Sequence, residues 1–385
     1  MRTAAILTLI PTLACAQVEQ GPANTDFTPA TESQTRAQAL PETSVTVETF
    51  ADGLANPWGI AALPDGSFLV TERPGTLRRV AADGTLSDPI SGVPEVDAEE
   101  QGGLLDVAIA PDFASSGVIY LTYAKGVEGG TVTAAARAVL DGNSLTDVQD
   151  IFVQDPPSEI YMHYGSRVVP TDDGMVYVTT GEHFTEANRQ LAQDVETTYG
   201  KVIRLNADGT VPQDNPFVGQ DGVDSIWSYG HRNVQGAAIG PDGALWTLEH
   251  GPAGGDELNR PQAGLNYGWP VISYGENYDG SPVGSGESAM EGMEQPVYYW
   301  DPVIAPGGIA FYDGDYADWQ GDLLIAGLNP GSLTRLRLDG DTVTGEERLL
   351  QDVGRIRDVE VLDDGDLMIL IDADPGQILR VTPGA

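Results

Sequence analysis

The chain is short of the residues that several common chemistries need, with one cysteine and four histidines in 385 residues. A single thiol excludes an intramolecular disulfide, and no Cys and His spacing is typical of a zinc site. There is also no Gly-x-Ser-x-Gly elbow, no phosphate loop ending in Gly-Lys and no Gly-x-Gly-x-x-Gly fingerprint. These absences argue against serine hydrolase, nucleoside triphosphate and nicotinamide chemistry.

Positive charge is equally scarce. Lys and Arg number 19 against 58 Asp and Glu, which gives a formal net charge of -39 and an isoelectric point near 4.1. Nucleic acids are bound through clustered basic residues, so no nucleic-acid partner is expected, and an anionic membrane would repel this surface. Such acidity is typical of solubility or salt adaptation, and the few cations that remain are therefore informative.

The first 16 residues are predicted to form a signal peptide. They combine Arg2 with an apolar run over residues 4–13 and small residues before a cleavage site after Ala16, and they are too short to span a bilayer. Cleavage would remove Cys15 and place the protein in the periplasm or outside the cell. The alternative is a lipoprotein acylated on Cys15, which Thr12 disfavours because a leucine is expected there.

Residues 17–44 are polar, rich in Thr, Ala, Glu and Pro, and show no apolar period, which predicts a disordered linker before a folded domain over residues 45–385. Within that domain, an Asp-containing turn followed by a short strand recurs, and a sixth copy is degenerate. The copies are LPDGSFLVTERPG (63–75), APDFASSGVIYLTYA (110–124), PTDDGMVYVTTGE (170–182), GPDGALWTLEHG (240–251), LDDGDLMILID (362–372) and the degenerate DWQGDLLIAGL (318–328). Their spacing predicts an all-β fold, a six-bladed β-propeller of four-stranded antiparallel sheets. A two-sheet sandwich is the alternative, but the copies are too far apart for consecutive sandwich strands.

Three groups of residues are candidates for chemistry. His163, in YMHYGSR, is the best candidate for a base near neutral pH. Arg355 and Arg357, in GRIRD, are spaced to point one way from a strand and suit carboxylates, although two surface arginines are the simpler explanation. Asp256 and Glu257, in EHGPAGGDELN, offer hard oxygen ligands within a glycine-rich loop, which favours calcium over zinc.

In their order along the chain, these segments resemble the soluble PQQ-dependent aldose sugar dehydrogenases, relatives of the soluble quinoprotein glucose dehydrogenase. The resemblance covers most of residues 45–384. The motifs that carry it are LANPWGIAALPDG, QGGLLDVAIAPDF, HYGSR, GKVIRLNADG, GHRNVQG, EHGPAGGDELN, NYGWP, WDPVIAPGG and GRIRDV.

The resemblance implies a pyrroloquinoline quinone (PQQ) cofactor held by calcium, and oxidation of the anomeric C1 hydroxyl of aldoses to lactones. His163 matches the general base, with hydride passing to C5 of the quinone. Gln101 matches a residue beside that base, and Arg232 and Asn233 match residues that contact the quinone oxygens, where Arg232 stabilises developing charge.

Other positions match cofactor and metal contacts. Arg355 and Arg357 match arginines that hold cofactor carboxylates, and Arg335 falls near a lysine that contacts the cofactor in some members. For the metal, the carbonyls of Gly251 and Pro252 match ligands of the cofactor calcium, and Glu257 with the carbonyl of Tyr267 matches a second calcium site.

The chain also departs from the family pattern. Met162 stands where the glucose enzymes have an aspartate able to orient the base, and Val234 and Ala253 replace a proline and an arginine. Two other functions remain open from the motifs: a calcium-dependent lactonase, and a non-catalytic extracellular propeller. The resemblance implies a small-molecule aldose as substrate, but the motifs indicate neither the preferred sugar nor the electron acceptor, and they do not separate a monomer from a homodimer.

Overall fold

The computed structural model describes residues 16–384, so the predicted signal peptide and Cys15 lie outside the described residues except for Ala16. The strands are β1 Val45–Leu54, β2 Pro57–Ala62, β3 Phe68–Glu72, β4 Thr76–Val80, β5 Leu104–Ile109, β6 Val118–Val127, β7 Gly130–Asp141, β8 Ser144–Val153, β9 Gly165–Pro170, β10 Met175–Thr180, β11 Lys201–Asn206, β12 Ile226–Tyr229, β13 Val234–Ile239, β14 Leu245–Glu249, β15 Asp256–Asn259, β16 Tyr298–Trp300, β17 Pro306–Phe311, β18 Leu323–Gly327, β19 Ser332–Asp339, β20 Thr342–Leu349, β21 Ile356–Val361, β22 Leu367–Ile371 and β23 Gly376–Pro383. The helices are short: α1 Phe113–Ser116, α2 Glu186–Arg189, and the 3-10 turns Gln190–Ala192 and Ala317–Trp319.

The strands form six antiparallel sheets, here numbered as blades 1 to 6. Blade 1 is β2 to β4, blades 2 to 5 take the next four strands each, and blade 6 combines β21, β22 and β23 with β1. The first strands of the six blades contact one another in cyclic order and close a ring. The predicted six-bladed propeller is confirmed.

Two details differ from a regular propeller of four-stranded blades. Blade 1 has three strands, and beyond Val80 it is extended only by an isolated pairing with Leu86. The chain that follows contains Pro89 and Pro94, which cannot donate backbone hydrogen bonds to a fourth strand. In blade 6, strand β1 pairs with β23 and so ties the two ends of the chain together.

The hydrophobic core lies between neighbouring blades. Strand β7 of blade 2 shows how: Ala134 and Ala136 pack toward blade 1 with Leu69, whereas Ala135 between them packs toward blade 3 with Val176. Because both faces of a blade are covered, its middle strands are apolar at nearly every position. A run of alanines is small enough to let the sheets approach closely on both sides.

The predicted disorder of residues 17–44 is not what the structure shows. The segment lies along blades 4 and 5, where the Asn24 side chain donates to the Asp301 carboxylate at 2.7 Å. The backbone N–H of Leu40 donates to the carbonyl of Glu346 in β20 at 2.9 Å. Polar side chains and backbone groups fix the segment through hydrogen bonds, so its low apolar content was a poor guide to its order.

Strand polarity decides which residues can meet. In an up-and-down blade, the turn between the second and third strands lies at the same end as the connection to the next blade. His163, Arg232 and Arg355 lie in connections between blades, and Arg73 and His250 lie in second-to-third turns. All therefore gather at one end of the ring.

No helix among residues 16–384 is long and apolar enough to cross a membrane.

Candidate active site

His163 lies just before β9 and is held from two sides. Its ring Nδ1 faces the Glu182 carboxylate at 3.3 Å, and its backbone N–H donates to the side-chain oxygen of Gln101 at 2.9 Å. The residue is 6% exposed and adopts a left-handed φ of 51°. Its Nε2 has no hydrogen-bond partner among the described residues. A histidine with one nitrogen fixed and the other unengaged has the arrangement that a general base requires.

The electrostatic surroundings keep the His163 ring neutral. Burial lowers the pKa of His163 below its ordinary value of 6.5, Arg232 lowers it further, and Glu182 partly opposes them. Burial would raise the pKa of Glu182, but His163 and Arg232 outweigh that effect and the pKa lies below its ordinary value. The pair is therefore an ionised carboxylate beside a neutral imidazole at neutral pH.

Asn233 braces the same backbone from the next blade. Its side-chain oxygen accepts from the N–H of Gly165 at 2.9 Å, two residues beyond His163. Gly165 has a φ of 66°, and a Cβ there would lie 2.5 Å from the carbonyl carbon of Thr180. Only glycine fits this close approach, which fixes the start of β9 two residues after His163.

Arg232 and Arg357 are buried, and each keeps an unused donor. Arg232 donates to the carbonyl of His250 at 3.1 Å and lies 5.1 Å from the ring of Trp269. Arg357 donates to Asp372 at 2.9 Å and to the Gln235 side chain at 2.8 Å. The Nε of each arginine is buried with no hydrogen-bond partner within residues 16–384. Orphaned guanidinium donors of this kind are suited to an anionic ligand.

Arg355 shares its partner with Arg357. It reaches Asp372 at 3.3 Å while its side chain is 53% exposed. Burial would raise the pKa of Asp372, but Arg357, Arg355 and Arg73 lower it below its ordinary value. Three arginines around one carboxylate leave this corner with an excess of positive charge, in a protein that otherwise avoids it.

A small cavity brings together all four residues that the resemblance implies for calcium. Gly251, Pro252, Glu257 and Tyr267 line it, and so does Arg232. The carbonyls of Gly251, Pro252 and Tyr267 accept no hydrogen bond from residues 16–384.

The charge of this cavity fits a cation. The Glu257 carboxylate has Asn259 as its hydrogen-bond partner, at 3.4 Å, and Asn259 also donates to Glu249. Burial and the neighbouring Glu249 raise the pKa of Glu257 well above its ordinary value. A buried carboxylate, Glu249, beside the half-buried Glu257 with unengaged carbonyls nearby is the donor set of a hard cation such as calcium. No group of three or more His, Cys, Asp or Glu side chains within the described part of the chain has metal-binding geometry, so backbone oxygens would have to complete any site.

Asp256 is not part of that cavity lining. Its carboxylate accepts from the backbone N–H groups of Gly251, Ile304 and Ala305, at 2.7, 2.8 and 2.8 Å. Consecutive strand residues point to opposite faces, so Asp256 and Glu257 cannot serve one ion as a pair. The expectation that both supply ligands is wrong for Asp256, which instead holds the loop.

Arg335 does not join the other arginines, and its expected contact with the cofactor is not supported. It lies in β19 and forms ion pairs with Asp322 at 2.5 Å and Glu347 at 2.7 Å. It also donates to the carbonyl of Asp318, in the connection between β17 and β18 at the opposite end of the ring. The side chain therefore points away from His163, and two carboxylates neutralise it.

Another arginine closes the channel below the site. Arg167 in β9 forms ion pairs with Asp106 at 2.7 Å and Asp358 at 3.1 Å, across the inner strands of three blades. A Cβ on Gly308 would lie 1.6 Å from the Asp358 carboxylate, so β17 must carry glycine there. These ion pairs link the inner strands of blades 2, 3 and 6 beneath the site.

The sequence motifs did not indicate three residues of the candidate site: Glu182, Arg73 and Asp372. Glu182 follows β10 in the repeated turn-and-strand unit at residues 170–182, and its position after a predicted strand was the available signal. Arg73 occupies the equivalent turn of blade 1 and donates to the carbonyl of Glu100, the residue before Gln101.

Known proteins place this arrangement in a family. The model of the glucose/sorbosone dehydrogenase family matches residues 54–380. The aldose sugar dehydrogenase YliI of Escherichia coli K12 is 44% identical over 355 residues, covering 90% of this chain and 94% of that protein.

Solved structures agree. The apo form of the soluble aldose sugar dehydrogenase from Escherichia coli superposes with a TM-score of 0.85 at 42% identity, covering 88% of this chain and all of that one (100%). The PQQ-bound aldose sugar dehydrogenase of Streptomyces coelicolor gives a TM-score of 0.74 at 31% identity, with coverage of 89% and 98%.

The chain therefore belongs to the glucose/sorbosone dehydrogenase family. It is a sugar-oxidising enzyme, and the resemblance inferred from its motifs is confirmed. Family membership decides against both the lactonase and the non-catalytic propeller.

Proposed function

We propose that the protein oxidises the C1 hydroxyl of aldoses to lactones, with His163 as general base and PQQ as electron acceptor. The observation that carries the proposal is His163 itself, with Nδ1 against Glu182 and Nε2 unengaged, beside Arg232. Nε2 would take the hydroxyl proton as the C1 hydride leaves, and Glu182 would stabilise the resulting imidazolium. PQQ, when bound, supplies the two-electron acceptor for that hydride.

The buried arginines would hold this cofactor. PQQ carries three carboxylates, and the unpaired Nε atoms of Arg232 and Arg357 are donors suited to them. Arg355 and Asn233 would complete the contacts from neighbouring connections, with Arg73 added on the basis of its position. Gln101 would fix the backbone of the base rather than touch the reacting atoms, because its oxygen already accepts from His163.

Calcium would occupy the cavity beside Arg232. The carbonyls of Gly251 and Pro252 would bind the ion that serves the cofactor, and Glu257 with the carbonyl of Tyr267 would bind a structural ion. His231 and Asn259 would hold Glu249 in place next to that second ion.

The test is an absorbance titration of apoprotein with PQQ in the presence of calcium, followed by dye reduction on adding an aldose. Saturable binding and turnover are expected, and an absence of turnover with every aldose would refute the proposal. Arg357→Gln should weaken PQQ binding, whereas the matched variant Arg380→Gln should not, because Arg380 pairs with Asp364 and Asp366 on a strand remote from the base.

We also propose that the protein is exported by a cleaved signal peptide. The mass of the protein recovered from the periplasm or medium should then correspond to a chain beginning at Gln17. A mature chain that keeps Cys15 with an added lipid mass would instead favour the lipoprotein alternative.

A further inference from the structure

The N-terminal segment, residues 17–44, lies outside the part of the chain that the family model matches, which is residues 54–380. It nevertheless has fixed partners on blades 4 and 5. Gln34 of the segment is 2% exposed, for example, and its side-chain amide donates to the carbonyl of Pro296 at 2.9 Å. Ordering a stretch of chain costs conformational entropy, which these contacts must outweigh. A segment that is ordered at this cost is a candidate for a function particular to this chain.

Asp301, just after β16, anchors the segment on blade 4. The residue is 3% exposed. The backbone N–H groups of Asn24 and Thr25 each donate to its carboxylate at 2.9 Å, and the Asn24 side chain donates at 2.7 Å. The Thr25 hydroxyl lies 2.9 Å from the same carboxylate. Within residues 16–384 no other group donates to this carboxylate, so its hydrogen bonds come from the N-terminal segment alone.

The same carboxylate contacts the calcium loop, which is residues 251–257 and carries three of the proposed calcium ligands. A Cβ on Gly254 would lie 2.6 Å from an oxygen of the Asp301 carboxylate, so the loop packs directly on that carboxylate. The next residue, Gly255, donates its N–H to the carbonyl of Trp300 at 2.8 Å and lines the cavity proposed for calcium. The calcium loop is therefore placed against a carboxylate that the N-terminal segment holds.

A second contact of the segment reaches the cavity through Tyr274. The carbonyl of Tyr274 lies 3.1 Å from the Thr25 hydroxyl, and its phenol oxygen lies 3.0 Å from the Gln34 side-chain oxygen. The Tyr274 ring stacks on Tyr299 with centroids 3.9 Å apart at 13°. Tyr274 directly follows Ser273, which lines the cavity. The segment thus holds two stretches of chain that line the proposed calcium cavity.

We infer that Asn24 and Thr25 are positioning residues of the calcium site: by holding Asp301 and Tyr274, they set the affinity of the calcium loop for its ion. The inference rests on the calcium site of the proposed function. Among the described residues, the lining of the cavity includes none from the N-terminal segment, so the segment acts through the loop and not as a ligand. Backbone carbonyls converge on a cation only when their loop is fixed, and the negative charge of Asp301 beside Gly254 attracts a cation further.

The test compares the calcium Kd of wild type with those of Thr25→Val, Asp301→Asn, Thr25→Ser and Thr43→Val. Thr43→Val is the matched control, because the Thr43 hydroxyl donates to Glu347 of β20, in blade 5, at 3.0 Å. Calcium is titrated into each PQQ-free protein in competition with a fluorescent chelator, and Tm is measured in excess chelator.

The variants should fall into two groups. Thr25→Val should raise the calcium Kd about fivefold and Asp301→Asn about tenfold, because the first loosens the loop and the second also removes a negative charge beside it. Thr25→Ser, which keeps the hydroxyl, and Thr43→Val should stay within about twofold of wild type. Thr43→Val should lower Tm in chelator as much as Thr25→Val does, so that stability and calcium affinity are separated.

The outcomes distinguish the inference from the proposed function. If Thr25→Val and Asp301→Asn bind calcium as tightly as wild type, the inference is overturned and the proposed site stands. If Thr43→Val raises Kd as much as Thr25→Val, the segment acts only through overall stability, which overturns the inference as well. If wild type binds no calcium, the proposed metal site and the inference both fail. Calcium binding without oxidation of any aldose counts against the proposed reaction alone, and the Kd values still decide the inference.

Discussion

Two histidine–glutamate pairs occupy matching positions in neighbouring blades. In blade 3, His163 precedes the first strand and faces Glu182, 19 residues later, just after the second strand. In blade 4, His231 precedes the first strand and faces Glu249, 18 residues later, at the end of the second strand. The propeller has placed the same two side chains at the same end of adjacent blades.

The second ring nitrogen distinguishes the pairs. Nε2 of His231 lies 2.9 Å from the Ser228 hydroxyl, and the ring stacks on Tyr267 at 4.8 Å. The Glu249 carboxylate also accepts the backbone N–H of Arg232 at 2.5 Å. Both ring nitrogens of His231 are thus engaged beside the cavity, whereas Nε2 of His163 has no hydrogen-bond partner within residues 16–384. Identical residue pairs acquire different roles through what surrounds them.

Replacing His163, the proposed base, should give the largest effect. In His163→Ala, kcat should fall about a thousandfold, within the range that a positioned base contributes. Steady-state dye reduction measures the loss, and the PQQ absorbance titration should be unchanged. If PQQ binding disappears together with turnover, His163 is a cofactor ligand and the comparison with His231 loses its meaning.

Glu182→Gln should give a smaller loss, roughly 100-fold in kcat, because the imidazolium formed during turnover loses its counter-charge. The pH profile gives the sharper test. The wild-type rate should fall as pH drops through the His163 pKa, which lies below 6.5. Because the Glu182 carboxylate raises that pKa, removing its charge lowers the pKa further and moves the acid limb of kcat/KM to lower pH.

Glu249→Gln is the matched control for this shift, since Glu249 faces the other histidine. Its acid limb should stay at the wild-type pH even if its rate is reduced. A limb that moves equally in both variants would mean that the profile reports the general charge of the site and not the His163–Glu182 pair.

The fold was predictable because its signal is local and repeated. Each Asp-containing turn and strand reports on one blade, and the six copies count the blades without long-range information. The segment over residues 17–44 and the three-stranded blade 1 were not predictable in this way. Asn24 and Leu40 are fixed by partners far along the chain, Asp301 and Glu346, and no local pattern records such contacts.

Short motifs predicted that His163 and Arg232 share one site, and the structure brings the two side chains close enough for Arg232 to lower the pKa of His163, while their roles in the reaction stay proposals. The sequence did not predict the site where the direction of a side chain decides whether it joins the site. Arg335 was expected at the cofactor from the resemblance alone, and a position along the chain does not say toward which end of the ring a side chain points, which here is toward Asp322 and Glu347. Glu182 was missed because its partner His163 lies 19 residues earlier, at the other end of the β9–β10 hairpin, and only the pairing of β9 with β10 brings them together.

Replacing His231 should lower stability more than activity, which is the reverse of what is expected for His163, the proposed base. His231→Gln loses the contacts with Ser228 and Glu249 and the stack on Tyr267, so the free energy of unfolding should fall by about 2–3 kcal/mol. Thermal unfolding measures this change, and kcat of the folded holoenzyme should fall less than about tenfold. His163→Ala should leave stability within about 1 kcal/mol. Equal destabilisation by the two variants would show that the pairs do not differ in their structural role.

Stabilisation by calcium should be the smallest of these effects. It should depend on the cavity beside the His231–Glu249 pair and not on the His163–Glu182 pair. At ten times its Kd, calcium that binds only the folded protein adds about 1.4 kcal/mol of stability, a rise in Tm of roughly 2 °C that a chelator should reverse. Glu257→Gln should remove this rise because Glu257 lines the cavity beside Glu249, whereas Glu182→Gln should keep it. If calcium stabilises Glu257→Gln as much as wild type, the ion binds elsewhere, and the Glu249 pair owes its fixed geometry to Ser228, Tyr267 and Asn259 alone.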